Sequence, residues 1–172
     1  INAAGGVTML AFTAASLNQA VVGTGIFRND GILTATTGGV TINSLTLVDI
    51  NANIVASGTL QAVLVIGTTD LGGNVTTNDG DVTFASATTL SGAARTITTG
   101  AAGAGNINFN GTLDGGQNLT LTAGTGNIAF AVAVGASAPL GAVTINAAND
   151  VTMLAAFTAV SLTQAVAGTG IF

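Results

Sequence analysis

The chain has 172 residues, 48% of them hydrophobic and only 5% charged, and its seven acidic side chains, all Asp, face two cations, Arg28 and Arg95. It contains no His, Cys, Glu, Lys, Trp or Tyr, so most of the groups used for general acid–base and nucleophilic catalysis are missing, and no basic patch exists to hold nucleic-acid phosphates or anionic lipid heads. No apolar run approaches the roughly 18–20 residues of a membrane-spanning helix, and the wealth of Val, Ile, Leu, Phe and Thr beside a single proline, Pro139, argues against a disordered linker.

In chain order, the first feature is INAAGGVTMLAFTAASLNQAVVGTGIF at 1–27, which returns at 145–172 as INAANDVTMLAAFTAVSLTQAVAGTGIF. Allowing one inserted Ala, 22 of 27 positions are identical, at an offset of 144 residues before the insertion and 145 after it. Residues 1–144 therefore read as one long repeat and 145–172 as the start of the next, within one continuous unit over 1–172. The expected continuation after Phe172 resembles Arg28-Asn29-Asp30-Gly31-Ile32-Leu33-Thr34, which follows the first copy.

Between the copies a shorter rhythm runs, in which Gly, Asn or Asp precedes alternating apolar and polar residues. It appears at Gly39–Asn43, Gly73–Thr76, Asp81–Phe84, Gly105–Phe109, Asn118–Leu121, Gly126–Phe130, Gly141–Ile145 and Asp150–Met153. Alternation with period two turns Val, Ile, Leu and Phe to one face and Thr, Asn and Ala to the other, as in a short strand. The Gly, Asn and Asp are expected at corners, as residues that tolerate positive φ. No segment reads as a helix.

Such strands fit an all-β parallel β-solenoid better than a β-sandwich repeat module, because similar residues recur at similar places and stacking turns them into ladders about 4.8 Å apart. The spacing from Ile107 to Ile128 to Val151, 21 and then 23 residues, predicts about seven or eight coils. The segment Phe130–Ala136 is expected to face the interior.

The stretches GNINFNGTLDGGQNLTLTAGTGNIAF at 105–130 and GAVTINAANDVTMLA at 141–155 resemble the repeats of filamentous haemagglutinin-type adhesins and related large secreted bacterial proteins. That resemblance implies a right-handed parallel β-helix exported to the bacterial surface. The expected role is a structural component of an extracellular fibre, sheath or surface layer. An adhesin stalk binding host or neighbour-cell glycans is the alternative.

Candidate sites are few, and no catalytic residue or cofactor is expected. Asn78-Asp79-Gly80-Asp81 clusters oxygen ligands, which makes Asp79 and Asp81 the calcium candidates, although Asn-Asp-Gly is also ordinary turn chemistry. Asp30-Gly31 and Asp114-Gly115-Gly116 read as turns in the same way. Sequons stand at Asn74, Asn110 and Asn118. Thr34-Ala35-Thr36 and Thr96-Ile97-Thr98 raise an ice-binding face, but on the sequence the pairs do not recur at one coil position. Polysaccharide-cleaving β-helices need paired carboxylates or a carboxylate with a basic partner, and the Asp residues lie mostly at turns. The expected partners are other copies of the chain, head to tail or lateral, and cell-surface glycans; no polar or helical cap is visible at either terminus.

Overall fold

The computed structural model describes Ile1 and residues 5–166. The end of the second repeat copy, 167–172, lies outside the described residues.

All regular structure among these residues is β, as the alternation predicts, and the chain winds as a three-sided parallel solenoid. The first coil is β1 (Val7–Met9), β2 (Phe12–Ala14) and β3 (Leu17–Asn18), and the second is β4 (Phe27–Asn29), β5 (Leu33–Ala35) and β6 (Val40–Asn43). The third coil is β7 (Val48–Ile50), β8 (Ile54–Thr59) and β9 (Val63–Ile66), followed by β10 (Thr69–Leu71), β11 (Val75–Asn78) and β12 (Val82–Phe84). Then come β13 (Thr88–Leu90), β14 (Arg95–Thr98), β15 (Ile107–Phe109) and β16 (Leu113–Asp114), β17 (Leu119–Thr122), β18 (Ile128–Phe130). The seventh coil is a bridge at Val134 with β19 (Leu140–Ala147) and β20 (Val151–Met153), and the eighth is a bridge at Phe157 with β21 (Ala159–Gln164).

Stacking gives three sheets. The first runs β1-β4-β7-β10-β13-β16, the second β2-β5-β8-β11-β14-β17-β19-β21, and the third β3-β6-β9-β12-β15-β18-β20. Every strand pair is parallel. The predicted column holds: Ile107 pairs with Ile128, and Ile128 with Val151. Coil length is not constant. Val82 stacks directly between Val63 and Ile107 in the third sheet, although Ile107 lies further from it along the chain than Val63 does.

The inward residues of the three sheets form a single core, with Leu33, Ile54, Val75 and Ile97 on the second sheet and Phe84, Phe109 and Phe130 on the third, all fully buried or nearly so. The phenylalanine ladder is a true stack, with ring centroids 5.3 Å apart for both Phe84–Phe109 and Phe109–Phe130 and planes within 7° and 1° of parallel. Phe157 closes it edge-on, at 5.4 Å and 76° from Phe130. Such offset aromatic contacts add to the area they bury, about 0.5–1.5 kcal/mol for each pair.

Two expectations about the corners and the interior need correction. The glycines that open the strands are not there for positive φ. That conformation belongs instead to Gly67, Gly92, Gly100, Gly115, Gly124 and Gly135, and to the non-glycine residues Leu60 and Asp79. At Gly73 and Gly126 the requirement is steric, since a Cβ would lie 2.2 Å from the carbonyl oxygen of Ala52 or of Gly105 in the preceding coil. Coils stacked at hydrogen-bonding distance leave no room there for any side chain. The interior reading of Phe130–Ala136 also fails in part: Phe130, Val134 and Gly135 are buried, but Val132 and Ala136 are exposed, because the chain turns the corner between the third and first sheets within this stretch.

Candidate functional surface

Most polar side chains lie at the corners or on the outer faces, and a few, among them Asn29, Thr69, Thr77 and Thr88, are buried at inward strand positions. At the corner entering the third sheet, Asp81 Oδ1 accepts from the backbone N–H of Asn106 at 2.7 Å and from its Nδ2 at 3.1 Å. Asn106 Oδ1 in turn accepts from the N–H of Asn127 at 2.9 Å, and Asn127 Oδ1 from the N–H of Asp150 at 3.1 Å. The corner entering the second sheet repeats the device. Asn53 Oδ1 accepts from Asn74 N–H, Asn74 Oδ1 from Thr96 N–H, and Asn118 Oδ1 from Ala142 N–H, at 2.8–2.9 Å. Each Asn or Asp thus satisfies a corner amide one coil on, an amide that the sheet ladder leaves unpaired.

Of the two calcium candidates, Asp81 belongs to this scheme and begins the ladder just described. Asp79 takes the left-handed conformation at φ 66° and donates its N–H to Thr99 O at 2.9 Å. Its carboxylate sits over the next corner, where a Cβ on Gly103 would come within 1.7 Å of Oδ1. Beside them Thr77 Oγ1, buried, donates to Gly80 O at 2.5 Å, and one coil on Thr99 Oγ1 donates to Gly105 O at 2.6 Å. Among the described residues no group of three or more acidic, His or Cys side chains is placed to hold a metal ion. Asp114 Oδ1 likewise accepts from the N–H groups of Ser137 and Ala138, and Asp30 Oδ1 from Asn51 Nδ2.

Arg95, nearly buried, is tied to backbone carbonyls. Its Nε donates to Ser91 O and Ala93 O, and its Nη1 to Gly72 O in the preceding coil, so the guanidinium serves as a corner clamp. Arg28, on the first sheet, donates Nε to Asp49 Oδ2 at 2.7 Å and approaches Asp30 Oδ1 at 3.7 Å. The hydrogen bond to Asp49, then the charges of Asp49 and Asp30, hold its pKa above the ordinary arginine value.

The three outer faces differ. Register on the first sheet aligns Thr8, Arg28, Asp49, Asp70, Thr89 and Asp114 in one column, the charged side of the rod. The second face carries threonine. Thr96, Thr120, Thr144 and Thr163 form one column, and Thr76, Thr98 and Thr122 a second beside it. Thr96-x-Thr98 therefore stacks directly on Thr120-x-Thr122, a recurrence the sequence did not show, whereas Thr34-x-Thr36 is out of step with it as expected, since Thr34 stands in the column of Val55, Thr76 and Thr98. The third face mixes Thr41, Leu64, Thr83, Asn108, Ala129 and Thr152.

The recurrence of the threonine pairs was hidden by coils of unequal length along this sheet, whose stacked positions run from Val75 to Ile97, Leu121 and Ile145. The asparagine corners carried a sequence signal, an Asn or Asp directly or one residue ahead of an apolar strand. Of the sequons, Asn110 is exposed, whereas the side-chain oxygens of Asn74 and Asn118 are bound within the corner ladders.

No family model matches this chain, and comparison with curated proteins and with solved structures finds no match.

Proposed function

We propose that this chain is a segment of an extracellular structural filament, of the filamentous haemagglutinin style, in which tandem 144-residue repeats prolong one solenoid rod. The observation that carries the reading is the use made of the polar groups. Asp81, Asn106, Asn127, Asn53, Asn74, Asn118 and Arg95 all join one coil to the next through hydrogen bonds to backbone groups. A chain whose polar chemistry is committed to coil stacking is suited to bearing load rather than to catalysis. Strand edges at the first and last coils are the natural place for head-to-tail addition of further copies, since a parallel edge accepts another in-register strand. With Arg28 and Arg95 the only basic residues, and Arg95 held inside the corner, trypsin has one accessible target. The test is cryo-electron microscopy of the native material: rods with a layer line at about 4.8 Å support the filament, and discrete particles lacking that spacing sink it.

The threonine columns favour a second reading, a face that orders water and contacts ice. Thermal hysteresis that disappears in Thr98→Leu and Thr120→Leu would support it, and its absence in the unaltered protein would dismiss it.

A further inference from the structure

The two copies of the repeat do not occupy the same sides of the rod. In the first copy Val7-Thr8-Met9 lies on the first sheet, Phe12 on the second and Leu17 on the third. In the second copy the matching Val151-Thr152-Met153 lies on the third sheet, Phe157 on the first and Leu162 on the second. All three elements have moved back by one face. Counting the bridge at Val134 as the first-sheet station of its coil, the second copy begins twenty stations after the first, which is six full turns and two faces.

The displaced copy is accommodated in its new place. Val151 pairs in register with Ile128 and is buried, Phe157 and Leu162 pack against the core, and the corner leucines Leu10 and Leu154 are each 72% exposed, although they stand on different edges of the prism. Each face asks a strand for buried residues alternating with outward ones, a pattern the Val-Thr-Met, Phe and Leu positions of the copy meet on either face, although the first sheet also buries Asn29, Thr69 and Thr88 inward.

We infer that the sequence repeat and the coil are deliberately out of step, so that tandem copies of this chain form a rod with a three-fold screw. This rests on the filament reading above. Each repeat advances the rod by about 32 Å, at about 4.8 Å for each turn, and sets its surface back by about 120°; the pattern closes after three repeats, about 96 Å. The charged column Arg28, Asp49, Asp70 and Asp114 stands on the first face here, moves to the third in the next repeat and to the second in the one after. No side of the rod is specialised along its length, and a second rod of the same kind meets equivalent surfaces from three directions, the geometry of a bundle and not of a flat sheet.

Two experiments test this. The chain has no native cysteine, so Ala129→Cys with Thr152→Cys on the third sheet, and Thr8→Cys with Arg28→Cys on the first, are clean reporters. Neighbouring in-register strands bring both pairs within disulfide reach, and oxidation is expected to close both. Closure of the first-sheet pair alone overturns the displacement while leaving the solenoid intact. The chain extended by two further 144-residue units is then imaged as a rod. A helical rise of about 32 Å with a rotation near 120° is expected. A rod with the same strand spacing whose repeats are related by translation alone overturns the screw and leaves the filament reading standing, and particles without any rod overturn both.

Discussion

Phe109 and Phe12 are both inward phenylalanines, one ending a strand of the third sheet and the other opening a strand of the second, and the solenoid treats them differently. Phe109 is sandwiched between Phe84 below and Phe130 above and is fully enclosed. Phe12 in the first coil has Leu33 above it and remains only half-buried. What encloses a side chain here is its neighbour one coil away, distant in sequence, far more than anything beside it in the chain. A central coil is stabilised by two interfaces and the first described coil by one, the one-dimensional arithmetic of stacked repeats.

The largest expected effect follows directly. Phe109→Ala should cost about 3–5 kcal/mol, because it opens a cavity in the stack, while Phe12→Ala should cost less than half of that. Guanidinium unfolding followed by circular dichroism decides it, and equal costs would break the comparison. Next come the glycines at coil contacts. Gly73→Ala drives a Cβ to 2.2 Å from Ala52 O and is expected to lose about 2–3 kcal/mol, whereas Gly116→Ala, with nothing within 4 Å, should change stability by no more than about 0.5 kcal/mol. A similar melting shift for the two would show that the coils can part more easily than their spacing implies.

The corner ladder offers a smaller contrast. Asn106→Ala removes the side chain that accepts from Asn127 and unpairs part of Asp81, for a loss of about 1–2 kcal/mol. Exposed Asn110→Ala should be near neutral. Amide hydrogen exchange at residue 127 reads the difference locally, and unchanged protection there would dismiss the ladder's role. The smallest effect belongs to Arg28→Gln. The Arg28–Asp49 pair is open to solvent on the arginine side, so its contribution should fade as salt shortens the Debye length to about 3 Å near 1 M. Since the arginine pKa is raised, the contribution is complete below the ordinary arginine range and is lost only as pH rises through the raised value. A stability difference that persists undiminished in high salt would mean that the side chain acts through packing.

Much of the architecture was legible in the sequence. All eight strands announced by Gly, Asn or Asp are present, from Val40–Asn43 to Val151–Met153, and the Ile107–Ile128–Val151 column fell where its spacing put it. The first-sheet strands were harder to see. Val48-Asp49-Ile50, Thr69-Asp70-Leu71 and Thr88-Thr89-Leu90 are short and follow no glycine directly. Only their stacking, Val48 under Thr69 and Thr69 under Thr88, marks them as one column.

By itself the sequence determined an all-β chain, and its alternation, near absence of charge and 144-residue return favoured stacking coil on coil over a β-sandwich module. Tertiary structure alone decided which residues meet. Corners of unequal length make the coil from Val63 to Val82 short and the one from Val82 to Ile107 long. The pairing of Thr98 with Thr122, the backbone contact that forbids a side chain at Gly73, and the face on which the second copy lands therefore follow from counting turns in space, where sequence distance is no guide.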